Sequence, residues 1–386
     1  MIVLFILPLH AQESDCMPAI HTESACGRLP DVTMPSVPTQ TASDTTTIVP
    51  ASERDWWKLF KKGKLNMADT TVIYPKFLGF CVKVYNWGDR VFNSYDSDYV
   101  IGTGRKWKAR FVSDNWVDSY YLNINRSMPI RMMSDIYSNV GAYIQYMAVS
   151  LGYSFDVGSV TASQPTTHKK VEFNFNCARF NLEWHYWENT GGTFIRTFGK
   201  YKKGKLIKMA FPGVTQKTIG VNGMFFFNNR KFSMGAAYNF SKIQLRSAGS
   251  AVIGFNYNNL DINMNLAQLP EVLKPYLTIE PNDYRFHYNS YMLLGGYSYN
   301  WVISPILLFN ISAFPEIGYT HTYEDSVEEN NKLFAMGMKG QSSLTLNLGD
   351  FFICAVAKID GNWYRSGSYS FFSSVENAQL SLGIRF

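Results

Sequence analysis

The tightest constraint on this chain is a two-residue hydrophobic rhythm that recurs from about residue 105 to the last residue. Successive side chains of a strand point to opposite faces, so strict apolar/polar alternation marks a sheet between two unlike environments. Val171, Phe173, Phe175 and Cys177 alternate with Glu172, Asn174 and Asn176. After a tight reversal at Ala178-Arg179, Phe180, Leu182, Trp184 and Tyr186 alternate with Asn181, Glu183 and His185. Strands are predicted at 107–113, 118–125, 137–146, 149–156, 170–177, 179–187, 217–227, 231–241, 250–259, 286–300, 306–320, 334–348, 351–365 and 376–386. Bacterial single-chain barrels use even numbers of strands, so about 12 are expected, with 10 and 14 as the bounds.

Two architectures alternate in this way. A soluble sandwich or barrel turns its apolar face inward and carries charge outside. A transmembrane barrel turns the apolar face to lipid and encloses a polar lumen. The polar positions here are mostly Asn, Ser and Gly, and only 17% of residues are charged, against roughly 25% in an ordinary soluble domain. Aromatic residues reach 16% and gather at strand ends (Trp184, Tyr186 and Trp187; Tyr297, Tyr299 and Trp301), where aromatic girdles meet headgroups. The final strand places Ala378, Leu380, Leu382, Ile384 and Phe386 on one face. It is similar to the C-terminal signal that outer-membrane barrels present for insertion, with Phe386 as its last residue. The expected fold is therefore an all-β, antiparallel transmembrane β-barrel with a short N-terminal helical segment. Phe173, Phe225, Leu382 and Phe386 should face outward.

The longest apolar run, Ile2 to Leu9, is far below the roughly 18 residues a helical span needs. Residues 1–11 read as a signal peptide cleaved after Ala11, although no basic residue precedes the apolar run; the other reading is a buried N-terminal strand. Residues 12–52 are a flexible Ser/Thr/Pro-rich leader. Residues 53–105 form a helical or irregular periplasmic segment that opens with a basic amphipathic stretch around Trp56 and Trp57. The barrel occupies 106–386, in the outer membrane of a Gram-negative bacterium. Counting back from a periplasmic C-terminus puts the Gly349-Asp350 turn on the periplasmic side and the acidic loop at Glu324 to Asn331 outside. The same count puts the Asn228 to Arg230 turn outside, which implies a missed or invented strand between 242 and 285.

Tyr74-Pro-Lys-Phe77, Val84-Tyr-Asn-Trp-Gly-Asp-Arg90, Phe92-Asn-Ser-Tyr-Asp96 and Tyr99-Val-Ile-Gly-Thr-Gly-Arg-Lys-Trp107 resemble the N-terminal part of domain-of-unknown-function family 4421. Lys231-Phe-Ser and Arg246-Ser-Ala-Gly-Ser250 are similar in style, so the resemblance covers roughly residues 60 to 386. It implies an exported Gram-negative protein with no assigned activity and supplies no catalytic residue.

Motifs for chemistry are sparse. The six histidines form no HExxH and no i, i+4 pair, so no metal or cofactor site is expected. Five widely spaced cysteines without CxxC give no zinc site or disulfide framework, apart from an optional Cys16–Cys26 pair. A net charge of +6, scattered along the chain, excludes a nucleic-acid partner. Glu172, Glu183, His185, Glu316 and Arg385 fall on the polar side of the alternation and are lumen-facing candidates. With Arg179 or Arg385, the three glutamates would narrow the lumen as a charged ladder or plug it as a salt-bridge network. The functional reading is a structural or small-solute channel with a largely filled lumen. One alternative is a rim-active hydrolase of lipase or protease type, using His185 with Glu183 or His287 with Ser290. Another is a soluble periplasmic β-barrel binding protein. The expected partners are outer-membrane lipid and the barrel-insertion machinery, engaged through the C-terminal strand; the basic loop Tyr201 to Lys208 is a further candidate for headgroup contact. Oligomeric state stays open.

Overall fold

The computed structural model describes residues 55–61, 69, 71–76, 79, 83 and 94–386, apart from 106, 125–126, 147–148, 158–165, 278–282, 328–330 and 367–368. The signal peptide, the leader and the Cys16–Cys26 pair lie outside the described residues. Trp56–Lys61 forms a short helix, α1. No described helix is long and apolar enough to cross a membrane.

The rest is one curled antiparallel sheet. In chain order its strands are β2 (Trp107–Ile124), β3 (Met128–Ser134), β4 (Tyr137–Tyr146), β5 (Val149–Asp156), β6 (Thr166–Asn176), β7 (Phe180–Gly191), β8 (Thr193–Phe198), β9 (Met209–Ala210) and β10 (Val214–Phe226). They continue as β12 (Ala248–Asn265), β13 (Asp283–Ser304), β14 (Leu307–Thr322), β15 (Lys332–Leu348), β16 (Phe351–Arg365) and β17 (Tyr369–Arg385). A separate two-stranded ribbon joins β1 (Val100–Gly102) to β11 (Lys242–Gln244). The last strand zips to the first: β17 pairs β2 from Tyr369↔Ile124 to Arg385↔Lys108. That ladder pairs the two edges that β2 and β17 would otherwise expose.

Two predicted strands merge and one disappears. The 107–113 and 118–125 segments are one unbroken strand, β2, because Asp114 and Trp116 keep the period and point inward. The segment 231–241 is not a strand. It folds as a turn and a π-helical turn at Gly235–Asn239, closed by Phe240 in the left-handed region (φ 57°). The miscounted strand therefore lies at 231–241, not between 242 and 285. With it removed, the turn at Asn228 falls at the same end as Phe386 and the Gly349-Asp350 turn. Connections at that lower end are otherwise short, while the long ones, 199–208, 266–282 and 323–331, lie at the upper end.

The wall splits at one place. β3 and β4 are a single return strand bent at 135–136: both pair β2, with a one-residue bulge between Ser119↔Met133 and Trp116↔Tyr137 that switches the inward side from even to odd residues. β7 and β8 are likewise one strand, bent where Gly191 (φ 76°) and Gly192 (φ 70°) take a left-handed backbone that side-chain-bearing residues avoid. The bends are stitched together: the Asp135 amide donates to Gly192 O at 2.7 Å and the Tyr137 hydroxyl to Gly191 O at 3.0 Å. Above the stitch, β8 pairs β3 and closes the wall. Below it, β5 takes the free edge of β4 and β6 takes that of β7. Counting that half gives twelve strands: β2, β4, β5, β6, β7, β10 and β12 to β17. Among the described residues, no backbone pairing joins β5 to β6.

Candidate functional site

The outer face is the apolar one. Phe173, Phe225, Leu382 and Phe386 are 53%, 39%, 46% and 55% exposed, the reverse of a soluble core. Register orders this face. Phe173, Trp184, Val221, Tyr257, Tyr291, Tyr319 and Phe334 are successive cross-strand neighbours over seven strands. Tyr257, Tyr291 and Tyr319 stack with ring centroids 5.2 and 5.1 Å apart. Four residues further up each strand, about 13 Å at the usual rise, Lys169, Glu188, Lys217, Asp261 and His287 form a second cross-strand row, this time ionic. Lys169 pairs with Glu188 at 3.3 Å. Arg285 grips Asp261 through two hydrogen bonds of 2.8 and 2.6 Å and reaches Asp325 at 2.5 Å. Downward, Tyr291 and Trp301 are ten residues apart on β13. At ~3.3 Å per residue and a tilt of ~40° this spans ~25 Å, the height of the apolar band of membrane barrels.

The interior has three tiers. The upper tier is a dry cluster that includes Leu122, Ile124, Met128, Ile130, Phe198, Phe211, Ile262, Phe286 and Phe371. The base is sealed by the chain itself, residues 227–247. Phe240 stacks on Phe352 at 4.4 Å, and Phe232 packs with Phe226 and Phe314. Polar anchors fasten this plug: the Arg385 guanidinium donates to Phe240 O at 2.8 Å, Thr345 to Ala237 O at 3.1 Å and the Tyr238 hydroxyl to Asn310 Oδ1 at 2.8 Å. Lys108 donates to Asn239 O, and buried Gln244 cross-links Ser233, Lys231 and Arg246.

Between these tiers lies a charged chamber. It is lined by Trp116, Lys170, Glu172, Glu183, Trp187, Asn222, Lys339, Gln341, Lys358, Asp360 and Asn377, over a floor of Met224 and Phe314. The cavity holds about 100 Å³. Lys170 bonds Asp114 at 2.7 Å and Glu172 at 3.1 Å and lies 5.4 Å and 5.9 Å from the ring centres of Trp116 and Trp187. Lys339 pairs with Asp360.

The candidates taken from the sequence distribute as follows. Glu172 and Glu183 line the chamber. His185 is buried beside it, with Nδ1 3.8 Å from Glu183 and Nε2 3.1 Å from Asn258. Glu316 is buried on the inner face, where Asn256 donates to both its oxygens at 3.3 and 3.1 Å. Arg385 joins no ladder with the glutamates. It sits at the base, on Phe240 O, Gly349 O and Asn347 Oδ1. Phe386 stacks on Trp107 at the lower rim. His287 and Ser290 do not meet: three residues apart on β13, His287 faces outward and Ser290 inward. The imidazole instead bonds Asp325 at 2.9 Å and stacks on Tyr323 at 4.0 Å. The nearby Ser326 hydroxyl donates to Arg285 O, not to the imidazole. Lys339, Asp360 and Lys358 went unnoticed in the sequence because their strands read as ordinary alternation. No group of His, Cys, Asp or Glu among the described residues is arranged to hold a metal ion.

An antiparallel barrel with an apolar outer band, an aromatic row, an ionic row above it and a chain-sealed polar interior defines the class: inside-out barrels of the membrane-spanning type. The profile of the family described as Domain of unknown function (DUF4421) matches residues 94–386, and the chain belongs to that family. The match begins after Tyr74–Phe77 and Val84–Arg90 and includes Tyr99–Trp107. No curated protein matches the sequence. Similar solved structures include the outer membrane protease OmpT of Escherichia coli (5% identity, TM-score 0.34, covering 74% of this chain and 98% of that one). They also include the translocator domain of the autotransporter NalP of Neisseria meningitidis (10% identity, TM-score 0.29, 80% and 95%). A third is OmpT of Vibrio cholerae (8% identity, TM-score 0.25, 72% and 98%).

Proposed function

We propose that this chain is an outer-membrane β-barrel whose lumen its own residues occlude, a structural or small-solute barrel and not an open pore. The observation that carries this reading is the outer face: a row of six aromatic residues and Val221, exposed aliphatic side chains below it and an ionic row about 13 Å further along the strands above it. Water would penalise such a surface heavily, whereas a bilayer about 25 Å thick across its apolar band matches it. Lipid is then the partner over the whole band. The barrel-insertion machinery is the partner of β17, with Phe386 as its terminal anchor. The plug at 227–247 and the apolar upper tier, below and above the chamber, support occlusion. The outward His287–Asp325 pair faces the membrane boundary without a serine hydroxyl on the imidazole, so a hydrolytic role is not proposed.

The test is membrane fractionation with a heat-modifiability gel, followed by planar-bilayer conductance. Boiling should shift the mobility of a membrane-fraction protein, and single barrels should conduct far less than an open porin of similar strand number. Recovery in the aqueous fraction with unshifted mobility would instead support the soluble periplasmic binding protein. Steady porin-like conductance would overturn occlusion.

A further inference from the structure

The gap between β5 and β6 lies beside the charged chamber, at bilayer height. On other strands the inward residues are largely buried, but on β6 both Glu172 and Asn174 are exposed although their alternation points them inward. On the outer face the two strands carry bare apolar rings: Tyr153 and Phe155 on β5, 69% and 60% exposed and in edge-to-face contact at 4.7 Å, and Phe173 and Phe175 on β6. A polar compartment thus meets hydrocarbon beside a stretch of wall with no backbone pairing among the described residues, a place where unmet backbone groups are costly.

The chamber also holds groups that its own ion pairs leave unused. Lys170 and Lys339 are committed to carboxylates. Among the described residues Lys358, exposed within the lumen, makes no ion pair within 4 Å, and the one such contact of Glu183 is His185 at 3.8 Å; the two charges face each other across the chamber at longer range, with Lys339 and Lys170 also near Glu183. Among the described residues Trp187 Nε1 and Gln341 Nε2 are donors without acceptors, and Asn222 Oδ1 is an acceptor without a donor, on a residue 94% buried. Buried polar atoms are rarely left unmet. Two spare donors with a spare ammonium suit the oxygens of a phosphate-type anion. A spare acceptor with a spare carboxylate suits a primary ammonium.

We propose that the chamber binds a small zwitterion in which a phosphate-type anion is linked to a primary ammonium, presented as a lipid headgroup that enters through the β5–β6 gap while its acyl chains stay in the bilayer. This rests on the membrane reading above. Lys358, Trp187 and Gln341 take the anion, and Glu183 and Asn222 take the ammonium. Charge-assisted hydrogen bonds in a water-poor site make each ionic partner worth about tenfold in affinity.

The experiment uses full-length barrels already shown by heat modifiability to be folded in bilayers, so a failure of binding is separable from a failure of insertion. Tryptophan emission is titrated with phosphatidylethanolamine in a phosphatidylglycerol bilayer, and separately with free phosphoethanolamine. A saturable shift with the lipid is expected, lost in Trp187→Phe, with affinity lowered about tenfold or more in Lys358→Met and in Glu183→Gln. Retained heat modifiability in each variant shows that the fold has survived. Response to the free headgroup alone would overturn lateral entry. A lack of any saturable response, or one unchanged in both charge variants, would overturn the site.

Discussion

Trp107 and Phe386 join the last wall strand to the first. They exchange both backbone hydrogen bonds, at 3.0 and 2.9 Å, and their rings stack 6.5 Å apart within 7° of parallel. The first residue of the first wall strand and the last residue of the chain are thus one contact. Phe386→Ala removes the stacked ring and shortens the apolar face of β17. Slower assembly is expected, with a smaller heat-modifiable fraction at equal expression, while Phe386→Trp retains assembly. Band intensity with and without boiling reads this out.

Gly295 tests which solvent the wall faces. It lies outward between Tyr291 and Trp301, and a Cβ built there meets nothing within 4 Å. Gly295→Arg therefore fits sterically, but near the bilayer midplane a charge costs about 2–4 kcal/mol. Gly295→Leu costs nothing comparable. Denaturant unfolding in lipid vesicles should separate the two; equal stability would place this face in water.

Arg385 holds the plug. Replacing it with Met strips donors from Phe240 O, Gly349 O and Asn347 Oδ1, and each buried acceptor left unmet costs about 1–3 kcal/mol. The plug should loosen before the wall does. Increased bilayer conductance is expected with β-sheet circular dichroism unchanged.

Lys339 and Asp360 face each other across β15 and β16 inside the lumen. Lys339→Met leaves a carboxylate in a poorly hydrated site, and breaking such a pair from one side costs about 3–5 kcal/mol. The double variant Lys339→Met/Asp360→Leu should recover most of that loss in the same vesicle unfolding assay.

The segment before the barrel is tied to the lower rim by Arg105, which donates to both Asp350 oxygens at 2.9 and 2.8 Å. The hydrogen bond and charge of the guanidinium hold the Asp350 carboxyl below the usual carboxylate range. A lowered value means the tether is at full strength above the ordinary carboxylate pKa and fades as pH falls through the lowered one. Both side chains are about half exposed, so salt should weaken it too. Limited proteolysis near residues 94–105 should accelerate at low pH or high salt, and Asp350→Asn should show the fast rate at neutral pH.

Much of this architecture was legible because a wall between lipid and lumen imposes a two-residue period on every strand that crosses it. The same rule explains the failure at 231–241. Phe232, Met234, Ala236, Tyr238 and Phe240 pack on apolar clusters of the lumen wall while Ser233 and Asn239 between them meet polar groups, so a plug pressed onto that wall alternates much as a strand does. Alternation reports two environments, not a hydrogen-bonded ladder. Likewise, the inward side of Glu172 and Glu183 was readable from parity, but their shared chamber with Lys358 of β16 was not.

From sequence alone came the inverted polarity of the wall, the closing strand with its terminal Phe386 and the absence of a catalytic motif, since each depends on residue type and local period. Tertiary structure alone decided that 227–247 folds back into the lumen, that among the described residues β5 and β6 stay unpaired beneath the Gly191-Gly192 bend, and that charges from distant strands share one chamber. Those outcomes depend on register and closure around the whole ring, which couple residues more than a hundred positions apart and leave no periodic trace along the chain.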